Sequence, residues 1–205
     1  MIIKICGLTR IEDVDACAQA GADLVGFNMW PQSPRHIELG TARQLATAAQ
    51  EAGLETVALL VAPDAETLRR VDADPLFDWV QPYRLAHGAK PVVSRWLEPR
   101  SVSGTLPAFD SDAHRVLVET AVPELGGSGK RFDWTLLAGQ EAVGQVMVAG
   151  GIRPDNVADL LKIVQPWGID VASGVEARPG LKDPVKIRTL IQTVRDIVSD
   201  SSTTS

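Results

Sequence analysis

Cysteine and histidine are both scarce in this chain, and neither is arranged for metal. The two cysteines, Cys6 and Cys17, have neither metal-ligand nor disulfide spacing. The three histidines, His36, His87 and His114, show no mutual ligand spacing, so no metal site is expected. A reducing cytoplasm suits such a chain. No apolar run approaches the roughly 20 residues that a membrane span needs. Met1-Ile2-Ile3-Lys4 passes straight into a strand, without the layout of a signal peptide. A basic excess is also lacking. The formal net charge is -6, which argues against a general nucleic-acid binder but not against a small anion held by local donors. Gly126-Gly127-Ser128-Gly129-Lys130 has the composition of a nucleotide-binding P-loop without its spacing, and reads instead as a mobile or substrate-covering loop.

What is present is ordinary globular material in a repeating order. Hydrophobic residues make up 45% and charged residues 22%, enough for a full core. Strands are expected at Ile2–Cys6, Asp23–Met29, Glu55–Val61, Phe77–Gln81, Pro91–Leu97, Arg115–Glu119, Gln145–Ala149 and Gly168–Ala172. Helices are expected at Ile11–Ala20, Thr41–Ala52, Asp64–Val71, Val157–Val164 and Asp183–Ser199, with another opening at Asp133-Trp134. Pro82–Lys90 has room for about two helical turns. Pro99–His114 has little periodicity, so the fourth and fifth helical segments are short or irregular. Alternating strands and helices imply parallel pairing with right-handed crossovers. Eight repeats favour a single-domain α/β fold, a (β/α)8 TIM barrel over residues 1–200, above its rival, an open doubly wound sheet. Ser201–Ser205 reads as a disordered tail.

In such a barrel the loops after the strands build the active site. Gly150-Gly151 and Ser173-Gly174 end consecutive strands, and glycine turns there let backbone N–H groups approach an anion, so the pair reads as a phosphate cradle. Cys6 shares a strand face with Lys4, and a nearby cation favours a thiolate that could act as base. A lone cysteine equally suits a small buried filler, the reading given to Cys17. Glu119 ends its strand where a buried carboxyl could be an acid, or could turn to solvent. Asp170 faces inward among apolar neighbours and must be paired or functional. Arg35 follows Pro34 in a stiff loop, either a carboxylate clamp or a solvated arginine.

These segments together resemble phosphoribosylanthranilate isomerase of tryptophan biosynthesis. The resemblance rests on Lys4-Ile5-Cys6-Gly7-Leu8-Thr9-Arg10, Ser33-Pro34-Arg35, the Gly126–Lys130 loop with Phe132-Asp133-Trp134, Ala149-Gly150-Gly151-Ile152 with Pro154-Asp155-Asn156-Val157, and Asp170–Glu176 with Pro179-Gly180 and Lys182-Asp183. It implies an Amadori rearrangement of N-(5-phosphoribosyl)anthranilate with no cofactor, in a monomer or homodimer. It implies Cys6 as base, Glu119 as acid, Asp170 as a supporting residue and Arg35 on the anthranilate carboxylate. Gly127, Gly150, Gly151, Ser173 and Gly174 would bind substrate, the last four at its phosphate. The only partner implied is a small phosphosugar.

The chain also departs from that family. Glu119 stands where the family has Asp, and a methylene displaces a carboxyl by about 1 Å, a shift that can cost on the order of 10²-fold. Val80-Gln81 continues as Pro82-Tyr83-Arg84 in place of Leu-His-Gly, and Phe27-Asn28-Met29-Trp30 is less apolar than the family pattern. These changes leave open a relative acting on another aryl- or aminosugar phosphate, or a non-catalytic phosphoribosyl-ligand binder.

Overall fold

The computed structural model describes residues 1–92, 94–109, 113–121 and 131–203. Alternation along β1 (Ile2–Cys6) sends Ile3 and Ile5 outward into the main apolar core, and Lys4 and Cys6 into the barrel. β2 (Leu24–Asn28), β3 (Glu55–Val61), β4 (Trp79–Tyr83), β5 (Arg95–Val102), β6 (Arg115–Thr120), β7 (Val146–Ala149) and β8 (Gly168–Val171) follow in spatial order. β8 pairs in parallel with β1, from Ile2↔Gly168 to Ile5↔Val171, and closes the barrel. That closure removes the open-sheet alternative and matches the expected (β/α)8 architecture.

Among the described residues five α-helices surround it: α1 (Ile11–Ala20), α2 (Leu39–Glu51), α3 (Ala65–Asp72), α4 (Val157–Ile163) and α5 (Pro184–Thr203). Asp64 caps α3 by accepting the Thr67 N–H at 2.7 Å. α5 buries Ile187, Leu190, Ile191 and Val194 along one stripe and packs on α1 and α4. It runs to Thr203, into the segment expected as a tail. The helix expected at Asp133-Trp134 is a 3₁₀ turn, Trp134–Leu137, and a second such turn covers Glu141–Gln145.

The greatest departure from expectation lies between β4 and β6. β5 begins four residues later than the expected Pro91 and extends five further, to Val102. Asp72 is responsible for the late start: its carboxylate accepts the N–H groups of Val92 at 2.6 Å and Ser94 at 2.8 Å, holding them as a loop. Pro99 lies inside the strand, opposite Leu117 of β6. The β4–β5 ladder is correspondingly short, Trp79↔Arg95 and Val80↔Trp96, before Pro82 and Pro99 remove donors from the two strands. No α-helix occurs among the described residues between β4 and β6, as the irregular sequence implies.

Inside the barrel, Leu24, Val57, Trp79, Leu97, Leu117 and Met147 form the lower apolar plug. The polar residues sit above it, towards the carboxyl ends of the strands. After β8 a 3₁₀ turn, Ser173–Val175, leads into a small hairpin of β9 (Glu176–Arg178) and β10 (Leu181–Lys182).

Candidate active site

Parallel register brings the first and last strands together at the barrel mouth. Lys4 and Asp170 are partners across β1 and β8, and the Lys4 ammonium donates to Asp170 Oδ1 at 2.9 Å. Lys4 is 0% exposed, so the pair supplies the charge compensation that a buried ion requires. Burial works against the lysine's charge, but Asp170 and Cys6 outweigh it and hold its pKa above the ordinary value.

Cys6 lies on the same face, 5% exposed. Its thiol does not follow the expectation of a cation-stabilised thiolate. Burial pushes its pKa up, and although Lys4 and Lys182 pull the other way, the net direction is upward from 9.0. The resting group is therefore a thiol. Its neighbour across β2 is Gly26, where an added Cβ would lie 2.8 Å from the sulfur and 3.2 Å from Lys4 Nζ. The Cys6–Lys4 arrangement thus requires glycine at that register position.

Glu119 points into the same volume from β6. Burial, then the charge of Asp170, raise its carboxyl from 4.5 to about 7, against the opposing effects of Tyr83 and Lys4. A carboxyl with that pKa keeps a large protonated fraction near neutrality, as a general acid needs. Cys6, Glu119 and Asp170, 51 to 164 residues apart in the chain, thus share one electrostatic environment.

Arg35 is neither solvated nor a bare clamp. Its Nε and Nη2 donate to the two carboxylate oxygens of Glu176 at 2.7 and 2.8 Å, and the residue is 7% exposed. Lys182 joins the pair, donating to Glu176 Oε1 at 3.0 Å and to the Ala172 carbonyl at 2.9 Å. Burial tends to raise the Glu176 pKa, but the two cations hold it below 4.5, while burial lowers that of Lys182 despite Glu176. Two cations on one carboxylate leave the cluster with net positive charge, and the second edge of the Arg35 guanidinium faces away from Glu176.

At the other candidate subsite, Gly150 and Gly151 adopt φ of 89° and 67°, conformations glycine reaches without strain. Asn156 ties that turn together, donating to the Gly151 carbonyl at 2.9 Å and accepting the Arg153 N–H at 2.8 Å. A Cβ at Gly174 would lie 1.9 Å from the Ile152 carbonyl oxygen. The turns after β7 and β8 are therefore in backbone contact, as a shared cradle requires. Gly127 and the Gly126–Lys130 loop lie outside the described residues.

Four contributors have no assigned role in the sequence reading: Gly26, Tyr83, Glu176 and Lys182. Glu176 and Lys182 flank the Pro179-Gly180 turn, and two opposite charges around a tight turn were the available signal. Tyr83 and Gly26 become legible only through strand register.

The family model for N-(5'-phosphoribosyl)anthranilate isomerase matches residues 3–193. The isomerase of Rhodopseudomonas palustris strain BisA53 is 39% identical over 207 residues, spanning 94% of this chain and 95% of the relative. That of Myxococcus xanthus strain DK1622 is 37% identical over 204 residues, spanning 95% and 96%. A crystal structure of the Thermus thermophilus phosphoribosyl anthranilate isomerase superposes with a TM-score of 0.81 at 28% identity, covering 96% of this chain and 100% of that one. A crystal structure of a phosphoribosyl anthranilate isomerase in complex with reduced 1-(o-carboxyphenylamino)-1-deoxyribulose 5-phosphate gives a TM-score of 0.73 at 26% identity, covering 96% of this chain and 100% of that one. With a barrel of that architecture and a match over nearly its whole length, the chain belongs to the N-(5'-phosphoribosyl)anthranilate isomerase family.

Proposed function

We propose that the chain converts N-(5-phosphoribosyl)anthranilate to 1-(2-carboxyphenylamino)-1-deoxyribulose 5-phosphate, with Glu119 as acid and Cys6 as base. The observation that carries this reading is the convergence of Cys6, Glu119 and Asp170 on one end of a barrel of this family. Glu119 gives its proton to the ribose ring oxygen, the C1–O bond breaks, and the anthranilate nitrogen supplies the electron pair that forms the iminium. Cys6 then takes the C2 proton, and the C2–H electrons form the enolamine, which tautomerises to the ketone. The required pair is a protonated carboxyl, which the raised pKa of Glu119 favours, and a thiolate, which the raised pKa of Cys6 opposes. The reactive microstate is thus a minority state, and the iminium charge itself favours the thiolate as the ring opens.

Asp170 keeps Lys4 charged and beside Cys6, and the Lys4 charge stabilises the thiolate when it forms, against the direct repulsion of Asp170. Arg35, held by Glu176, would present its second guanidinium edge to the anthranilate carboxylate. The phosphate would take backbone N–H groups around Gly150-Gly151 and Ser173-Gly174.

The test is loss of anthranilate-linked fluorescence as freshly made phosphoribosylanthranilate is consumed, with Cys6→Ser and Glu119→Gln alongside. Turnover in the unmodified protein, lost by at least 10³-fold in both variants, is the expected result. Turnover surviving in Glu119→Gln would remove Glu119 from the acid role. Absence of turnover in the unmodified protein, with product-analogue binding intact, would point to another aryl- or aminosugar phosphate.

A further inference from the structure

We propose that Tyr83 is the positioning residue for the Glu119 acid, its phenol holding one carboxyl oxygen so that the other carries the proton to substrate. The proposal rests on the reading of Glu119 as the acid. Gln81 is fully buried in the middle of β4, and its Nε2 donates to the hydroxyl of Tyr83, the last residue of that strand, at 3.0 Å. A phenol has one proton, so an oxygen that accepts from Gln81 is left to donate elsewhere. Its partner is the Glu119 carboxyl. β5 runs between the two strands and offers only the small Pro99 and Ser101 on that face, leaving space for phenol and carboxyl to meet. A glutamate reaches one methylene further than an aspartate, and the long phenol meets it at that reach.

The backbone fixes Tyr83 as well. It pairs with Val61 of β3, and its carbonyl accepts the Ala62 N–H at 2.8 Å. Ala62 and Arg84, on either side of that contact, hold φ of 45° and 52°, left-handed values that non-glycine residues adopt only under surrounding constraint. The charged groups facing Glu119 are Asp170 from β8 and Lys4 from β1, and Tyr83 also faces Cys6. Tyr83 is an uncharged donor, so its removal changes the carboxyl's hydrogen bonding without adding or deleting charge.

Tyr83→Phe keeps the ring and deletes the donor. The expected result is a fall in kcat of about tenfold with KM changed less than about twofold, the worth of one hydrogen bond to an ionised acceptor. The bend near pH 7 in the kcat/KM profile should move up by about one pH unit. Tyr83 is also the only tyrosine in the chain, so biosynthetic replacement of tyrosine by 3-fluorotyrosine alters this site alone without a mutation. The more acidic phenol donates more strongly, and the same bend should move down. Opposite shifts from the two changes support the proposal. A bend that stays in place in both, or a loss confined to KM, would overturn it. If Glu119→Gln retains turnover, the acid assignment fails instead, and that result is separate from either tyrosine experiment.

Discussion

At Cys6 two effects compete, and their balance sets the pH behaviour. Lys4 two residues away suggests a ready thiolate, yet desolvation outweighs the cation and the thiol stays above its ordinary pKa. Glu119 titrates near 7. The product of thiolate and protonated carboxyl therefore rises with pH up to about 7, where loss of the acid begins to cancel gain of the base. We expect kcat/KM to climb about tenfold per pH unit below that point and to level above it, until Cys6 itself titrates. Iodoacetamide modification should likewise be slow at pH 7 and accelerate as the pH rises above 9, at Cys6, which is 5% exposed, before Cys17, which is fully buried. Gly26→Ala should be severe although it adds one methyl group. Its Cβ would lie 2.8 Å from the Cys6 sulfur, and a displaced base should lower kcat on the order of 10²-fold. Steady-state kinetics of a variant shown to be folded by circular dichroism would check this.

Elements differ in how far the chain itself reveals them. α1 and the strands β1 and β3 occupy the residues their patterns imply, because each is a local pattern between clear breakers such as Gly21. β5 starts later than its sequence implies: Val92 and its neighbours read as a strand, whereas Asp72, 20 residues earlier, takes the Val92 N–H. Proline within β4 and β5 also argues against strand, and only the register shows that the affected ladder is short. The same limit applies to the site. Inward-facing strand ends identify Cys6, Glu119 and Asp170, but the Lys4–Asp170 pair spans 166 positions, and Arg35–Glu176 spans 141. No spacing rule encodes such partners. The turns after β7 and β8 give the element-scale prediction. Gly174→Ala would drive a methyl group into the Ile152 carbonyl, a backbone atom that cannot rotate away. The two turns must then part. If they hold the phosphate, KM should rise and inhibition by inorganic phosphate should weaken on the order of tenfold. Unchanged phosphate inhibition in that variant would locate the phosphate elsewhere.

Over the whole molecule, the barrel is divided along its axis between stability and chemistry. The lower interior is apolar, with Trp79, Leu97, Leu117 and Met147 packed together. The upper interior gathers Lys4, Cys6, Glu119 and Asp170, groups whose burial favours folding far less than apolar residues would. Glu119 makes the cost measurable. Its pKa is higher folded than unfolded, so the folded chain holds the proton more tightly. The favourable contribution is complete below the unfolded value of about 4.5 and is lost as pH rises through about 7. At pH 8 the carboxylate should lower folding stability by about 2–3 kcal/mol relative to a neutral isostere. Glu119→Gln should accordingly unfold at nearly the same denaturant concentration as the unmodified protein at pH 4.5. At pH 8 it should be the more stable of the two, by on the order of 5 °C in Tm for a chain of this size. Paired urea and thermal melts at the two pH values would measure the difference. An advantage for the variant of equal size at both would mean that the side chain's shape is responsible. No advantage at pH 8 would mean that the carboxylate is solvated in the folded state, and the acid role would lose its physical basis. A gain confined to high pH, in a variant that no longer turns over, would identify the acid as a group maintained for chemistry at the expense of the fold.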